Sequence, residues 1–171
     1  DFRKFKTAVR EEIDRPMLEE IFPLGTKLKD LWWESRGGRI RLPEHLSEEK
    51  YRDPSKHGEP GITFGRQIGA YPILVGVPYA IPLESGSDIV VTGHGMRSIS
   101  GIEYGLDINH ATKSQLQALP GIGDKSSWKI ISNRARRANK NQGSFASVEE
   151  AFSEAGVTMP PLAPEVFVTT H

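Results

Sequence analysis

The 171-residue chain has no cysteine. Disulfides, thiolate catalysis, iron–sulfur ligation and thiolate zinc sites are therefore excluded within it. Its histidines (His45, His57, His94, His110 and His171) stand singly, without the one-turn spacing of a helical metal site. No run of about 18 apolar residues occurs, so no transmembrane helix and no membrane partner are expected. No charged-then-apolar leader opens the chain, and a cytoplasmic setting is expected. Net charge is absent too: 22 basic residues balance 22 acidic ones. Whole-chain charge therefore favours no partner, and any polyanion-binding signal must be local.

What is present is glycine and proline, 17 and 12 of them, which favour turns and short strands. The first residue is Asp1, and DFRKFKTAVREEIDRP reads as a helix already under way. The chain is read as a piece of a longer protein. Phe2, Phe5, Val9 and Ile13 fall at helical spacing. That helix should end before Pro16, with a second short turn from Pro16 to Ile21. Residues 1–24 form the N-terminal helical segment.

Residues 25–105 change character. Candidate strands are Leu28–Glu34, Ile62–Ile68, Tyr71–Val75, Asp88–His94 and Ser98–Tyr104, separated by Gly and Pro. Short strands with frequent turn signals predict a small antiparallel β-barrel or sandwich. Residues 35–60 read as a long charged surface loop. Trp32 and Trp33 point to opposite faces of their strand, so one is expected in the core.

Residues 106–158 turn helical. Thr112 to Gln115 fits a capping box, as does Ser147 to Glu150. Between two of the helices lies Leu119-Pro120-Gly121-Ile122-Gly123. A tight turn between packed helices requires φ values that glycine adopts cheaply, and glycine lets a phosphate approach the main chain. Ile122 plugs the turn. The following helix then aims its free N–H groups, from about Gly121 to Lys125, at one anion. Lys125 and Lys129, one turn apart, can flank the same phosphate backbone. From Asp107 to Gly143 there are seven basic residues and two acidic ones. The neutral chain thus carries a locally basic segment. Residues 159–171, with Pro160, Pro161 and Pro164, read as an irregular tail.

Residues Asn109–Thr112, Leu116–Gly123 and Ile130–Arg134 resemble the helix-hairpin-helix DNA-binding family, in the version of bacterial DNA-uptake proteins. There the unit is usually doubled. Gly143–Glu150 resembles the start of a second unit, but its bend, Ala155-Gly156-Val157, lacks the second glycine and implies a structural half with weak or no phosphate grip. Trp128 is a departure, since smaller or polar residues are common there; it either stacks on a nucleotide or covers the helix. The resemblance also implies a monovalent cation held by the carbonyls of Gln117, Leu119 and Ile122. Gly65-Arg66-Gln67, Tyr71–Val75, Asp88–Thr92 and Ser100-Gly101 resemble the TRAM domain, a small OB-like barrel of tRNA-modifying enzymes. Together with Asp14–Glu19 and Thr63–Gln67, the whole chain is similar to the C-terminal region of archaeal radical SAM Fe–S proteins.

The expected fold class is α+β: a small antiparallel β-barrel followed by an all-α helix-hairpin-helix domain. The expected function is sequence-independent binding of DNA, or tRNA, by an accessory region of a radical SAM enzyme. The nucleic-acid contacts would be Gly121, Ile122, Gly123, Lys125, Lys129, Arg134 and Arg66. The parent would carry a 4Fe-4S cluster and S-adenosylmethionine; this segment would carry no cofactor and no catalysis. Two alternatives stand beside it. One is a structural module docking on the parent catalytic domain through the N-terminal helix and a tryptophan. The other is an enzyme using Asp88, His94 and Glu103 as acid–base groups.

Overall fold

A computed structural model describes residues 1–34, 48–67 and 73–170. The fold is mixed α+β: a closed five-stranded barrel with helices before and after it. The expected loop residues 35–47 and strand residues 68–72 lie outside the described residues.

Three pieces form the N-terminal arm: α1 (Phe2–Val9), a wider π turn (Arg10–Asp14) and α2 (Arg15–Ile21). The helix was expected to end before Pro16, and it does not. The Arg15 amide reaches back five residues to the Arg10 carbonyl. That wider turn makes room for a proline that has no N–H and would crowd an α-helical carbonyl. Leu18 and Phe22 are the arm's buried anchors, while Phe2, Phe5, Ile13, Met17 and Ile21 remain exposed.

The barrel comprises β1 (Lys27–Trp33), β2 (Pro60–Gln67), β3 (Leu74–Tyr79), β4 (Gly86–His94) and β5 (Ser98–Glu103), in the order β1-β2-β3-β5-β4. The expectation of a purely antiparallel barrel needs correction. β3 and β5 pair in parallel, with Val75 opposite Ile99. A hairpin of β4 and β5 closes the barrel by setting β5 beside β3 and β4 beside β1. Alternation places Leu31, Trp33, Val75, Val77, Tyr79, Ile89 and Ile102 inside, all fully buried. Trp33 is the buried tryptophan, its Nε1 donating to Ser87 Oγ at 2.7 Å; Trp32 faces outward. The second half of the expected 35–60 loop is ordered: α3 (Glu48–Arg52) and a 3-10 turn (Pro54–Lys56) lead into β2.

After β6 (Leu106–Asp107) come α4 (Lys113–Ala118), α5 (Asp124–Asn139) and α6 (Val148–Ala155). Both expected N-caps form. Thr112 and Gln115 make the full capping box. Ser147 accepts from the Glu150 amide, while the Glu150 carboxylate takes the Ala146 N–H. Gly156, in the left-handed region, ends α6.

The C-terminal segment is not the irregular tail expected from its prolines. It forms α7 (Ala163–Val166) and β7 (Phe167–Val168), which pairs in parallel with β6. Buried Ala163, Val166 and Phe167 explain this ordering, with Phe167 packed at 6.4 Å from the Phe152 ring. Burial of these side chains outweighs the absence of proline N–H groups. One continuous apolar core runs from the barrel into the helices. The seam is also pinned by Thr112 Oγ1, which donates to the Gly58 carbonyl at 2.5 Å. The helical unit is therefore fixed on the barrel wall beside β3.

Candidate nucleic-acid interface

The bend between α4 and α5 begins where Leu119 leaves helical geometry as the C-cap of α4. The Ile122 amide closes a turn on the Leu119 carbonyl at 3.1 Å. Leu119 and Ile122 are both buried, so the bend is anchored from below. Gly121 has φ +100°, a conformation that a side chain strains.

Gly123 is different. It is the N-cap of α5 with φ −95°, and a Cβ there would meet no atom within 4 Å. Among the described residues nothing requires glycine at this position, and the space above it is open. The amides of Gly121, Gly123, Asp124 and Lys125 find no backbone acceptor among the described residues. They open a 16-residue helix whose dipole favours an anion at this end.

Asp124, in the first turn, would oppose that anion. Its carboxylate is drawn across the hairpin to the Lys113 ammonium, with Gln117 Nε2 at 3.5 Å. Lys113 also lies over the Trp128 ring, 4.8 Å from its centroid. From the bend, an open groove of about 650 Å³ follows α5, lined by Asp124, Lys125, Trp128, Lys129, Ser132 and Arg136, with Glu154 and Ala155 on its far side. Lys125, Lys129 and Arg136 are exposed and form no ion pair among the described residues. Glu154 is held by Asn133 and Arg137.

Of the expected contacts, Gly121, Ile122, Gly123, Lys125 and Lys129 come together here. Arg134 does not join them. Its Nη1 donates to the carbonyls of Ile108 (3.1 Å) and Ala111 (2.9 Å), and it is half-buried. Desolvation lowers its pKa, with Asp107 acting the other way. Arg137 likewise serves the helix ends, binding the carbonyls of Gln142, Gly143 and Ser144 besides Glu154. Arg66 sits on β2 opposite Trp32 of β1. It shares an outward face with Ile62 and Phe64, which line a second groove closed by Ala118 and Pro120 of the hairpin.

For the implied cation, the carbonyls of Gln117 and Ile122 take no backbone N–H among the described residues, while that of Leu119 takes the Ile122 amide. The implied cluster does not fit this chain, which offers no thiolate. Among the described residues no three His, Asp or Glu side chains gather as metal ligands.

The acid–base trio is dispersed. Asp88 accepts from the Asp30 amide and lies near Lys27. His94 Nε2 is 2.5 Å from the Phe22 carbonyl. Glu103 pairs with His57, Oε1 to Nε2 at 2.5 Å, and its amide donates to the Tyr79 hydroxyl. This hydrogen bond raises the His57 pKa against the opposing effect of burial. Burial, foremost, and the nearby Glu103 charge push the Tyr79 phenol well up.

Two features of the structure were not expected from the sequence. The His57–Glu103 pair joins residues 46 apart and left no local signal. Arg136 was legible: Lys125, Lys129, Ser132 and Arg136 repeat at helical spacing, which places them on one face.

No protein-family profile matches the chain, and no solved structure matches it. It is similar to an uncharacterised protein of Archaeoglobus fulgidus, 36% identical over 121 residues, covering 71% of this chain and 18% of that protein. It is also similar to an uncharacterised protein of Methanocaldococcus jannaschii, 36% identical over 101 residues, covering 58% of this chain and 15% of that protein. The chain thus spans less than a fifth of the length of these curated relatives. Among the described residues no helix is long and apolar enough to cross a membrane.

Proposed function

We propose that this segment binds nucleic-acid backbone, DNA or tRNA, through a helix-hairpin-helix, as an accessory part of a longer archaeal radical SAM enzyme. The observation that carries the reading is the open glycine at the start of α5. Gly123 presents its amide with those of Asp124 and Lys125, and among the described residues no atom crowds it and no backbone acceptor takes them. Lys125 and Lys129 extend the positive field along the same helix face. Main-chain amides and lysines address phosphate rather than base edges, so binding is largely independent of sequence. Catalysis belongs to the rest of the parent, which would hold S-adenosylmethionine and the cluster, for which this cysteine-free chain has no thiolate.

The test is a salt titration with duplex DNA and with tRNA. Log affinity falls linearly with log salt, by about 0.9 per neutralised phosphate on duplex DNA. Lys125→Ala and Lys129→Ala each reduce that slope by nearly one unit; Lys29→Ala, on exposed barrel surface, leaves it unchanged. Absence of binding to either polymer at low salt defeats the reading.

A second use is favoured by the N-terminal arm. Phe2, Phe5, Ile13, Met17 and Ile21 leave an apolar surface exposed on α1, the π turn and α2. This surface suits docking against the remainder of the parent, and the two roles are compatible.

A further inference from the structure

We infer that Trp128 makes the α5 groove a site for an unpaired nucleotide, so that the module prefers single-stranded nucleic acid or a frayed end over an intact duplex. The inference rests on the phosphate reading above and adds to it the class of substrate.

Trp128 is 51% exposed although it lies in the first half of a helix that buries Ser127 and Ile130. The exposed indole offers a flat apolar face with a polar edge, the kind of surface on which a base can stack. Lys113 Nζ lies over the ring, and the same ammonium is tied to the Asp124 carboxylate. The exposed aromatic surface thus lies beside a paired ammonium rather than against the core.

Its neighbours select the ligand. Lys125 and Lys129 flank it on the same face, Arg136 lies further along, and Ser132 offers a hydroxyl. The two acids lining the groove are neutralised locally, Asp124 by Lys113 and Glu154 by Arg137. What remains is cationic with one flat aromatic. That combination matches a phosphodiester chain with an accessible base, whose face stacks on indole whatever its sequence. In a paired duplex the base faces are stacked on their neighbours and only base edges and backbone are exposed, so the indole would gain little. Asp124 and Lys125 lie on the turn preceding Trp128 and also supply amides of the bend. A phosphate on those amides therefore leaves its own or the next base within reach of the ring.

The experiment uses the whole 171-residue chain, wild type and with Trp128→Ala, Trp128→Phe and Trp128→Leu. Affinities are measured at one low salt concentration for oligothymidylate, oligouridylate and a blunt DNA duplex of equal length. The wild type binds at least one single strand more tightly than the duplex; which of the two is tighter tells DNA from RNA. Trp128→Ala and Trp128→Leu weaken single-strand binding about five- to 150-fold and change duplex binding less than twofold. Trp128→Phe restores most of the loss, because it keeps a π face. Indole emission is quenched on single-strand addition in the wild type and not in Trp128→Phe. Equal losses on single strand and duplex, or no loss on either, overturn the inference while leaving phosphate binding intact. Failure of every nucleic acid to bind the wild type overturns both.

Discussion

Pro160, in the C-terminal segment, packs its ring against Gly121, its Cγ only 3.2 Å from where a glycine-to-alanine change would place a Cβ. The segment thereby buttresses one side of the bend. It stops short of the other, since the space at Gly123 is open.

The two glycines of the bend should therefore separate in effect. Gly121→Ala combines positive φ with the Pro160 contact and should lower stability by about 1–3 kcal/mol. Gly123→Ala should change stability by less than about 1 kcal/mol and weaken nucleic-acid binding several-fold. Urea denaturation and a binding titration on both variants check this. Undiminished binding by Gly123→Ala would count against phosphate approach at that position.

Arg134 holds the Ile108 and Ala111 carbonyls. Arg134→Ala should lose about 1–3 kcal/mol of stability, because those acceptors lose their partner. The salt slope of nucleic-acid binding should stay within about a quarter unit of wild type, against the near-unit drop of a phosphate contact. A full-unit drop would return Arg134 to the interface.

Stability should depend on pH through His57. Its pKa is raised in the folded chain, first by the hydrogen bond to Glu103. A group of raised folded pKa contributes fully below its unfolded value, about 6.5, and loses that contribution as pH rises through the folded value. Because His57 is more than a third exposed, the effect is expected below about 1 kcal/mol. Thermal melts between pH 5.5 and 8.5 should show the wild type losing stability relative to His57→Gln as pH increases.

The C-terminal segment should be structural. Phe167→Ala removes a buried ring packed on Phe152 and should cost about 3–5 kcal/mol. Circular dichroism should show α6 weakened in the same variant. A loss below about 1 kcal/mol would mean that the segment only rests on the surface.

Local sequence signals determined a good deal. Thr112 with Gln115, Ser147 and Gly156 act within a few residues of themselves, so the borders of α4 and α6 were readable. Alternation set Trp32 and Trp33 on opposite faces, and turn signals placed most strands of the barrel; the fold decided that Trp33 is the buried one. Spacing along α5 put Lys125 and Lys129 on one face. Tertiary structure decided what depends on distant partners. The parallel β3–β5 pair arises from barrel closure, which no strand encodes alone. Pro16 sits in a continuous helical arm because a π turn widens before it. The proline-rich C-terminal segment folds because Val166 and Phe167 find the core. Arg134 and Arg137 look like phosphate ligands by composition, yet main-chain carbonyls and Glu154 claim them. Charge is a property of a residue type, but the partner that uses it is set by which segments the fold brings within hydrogen-bonding distance.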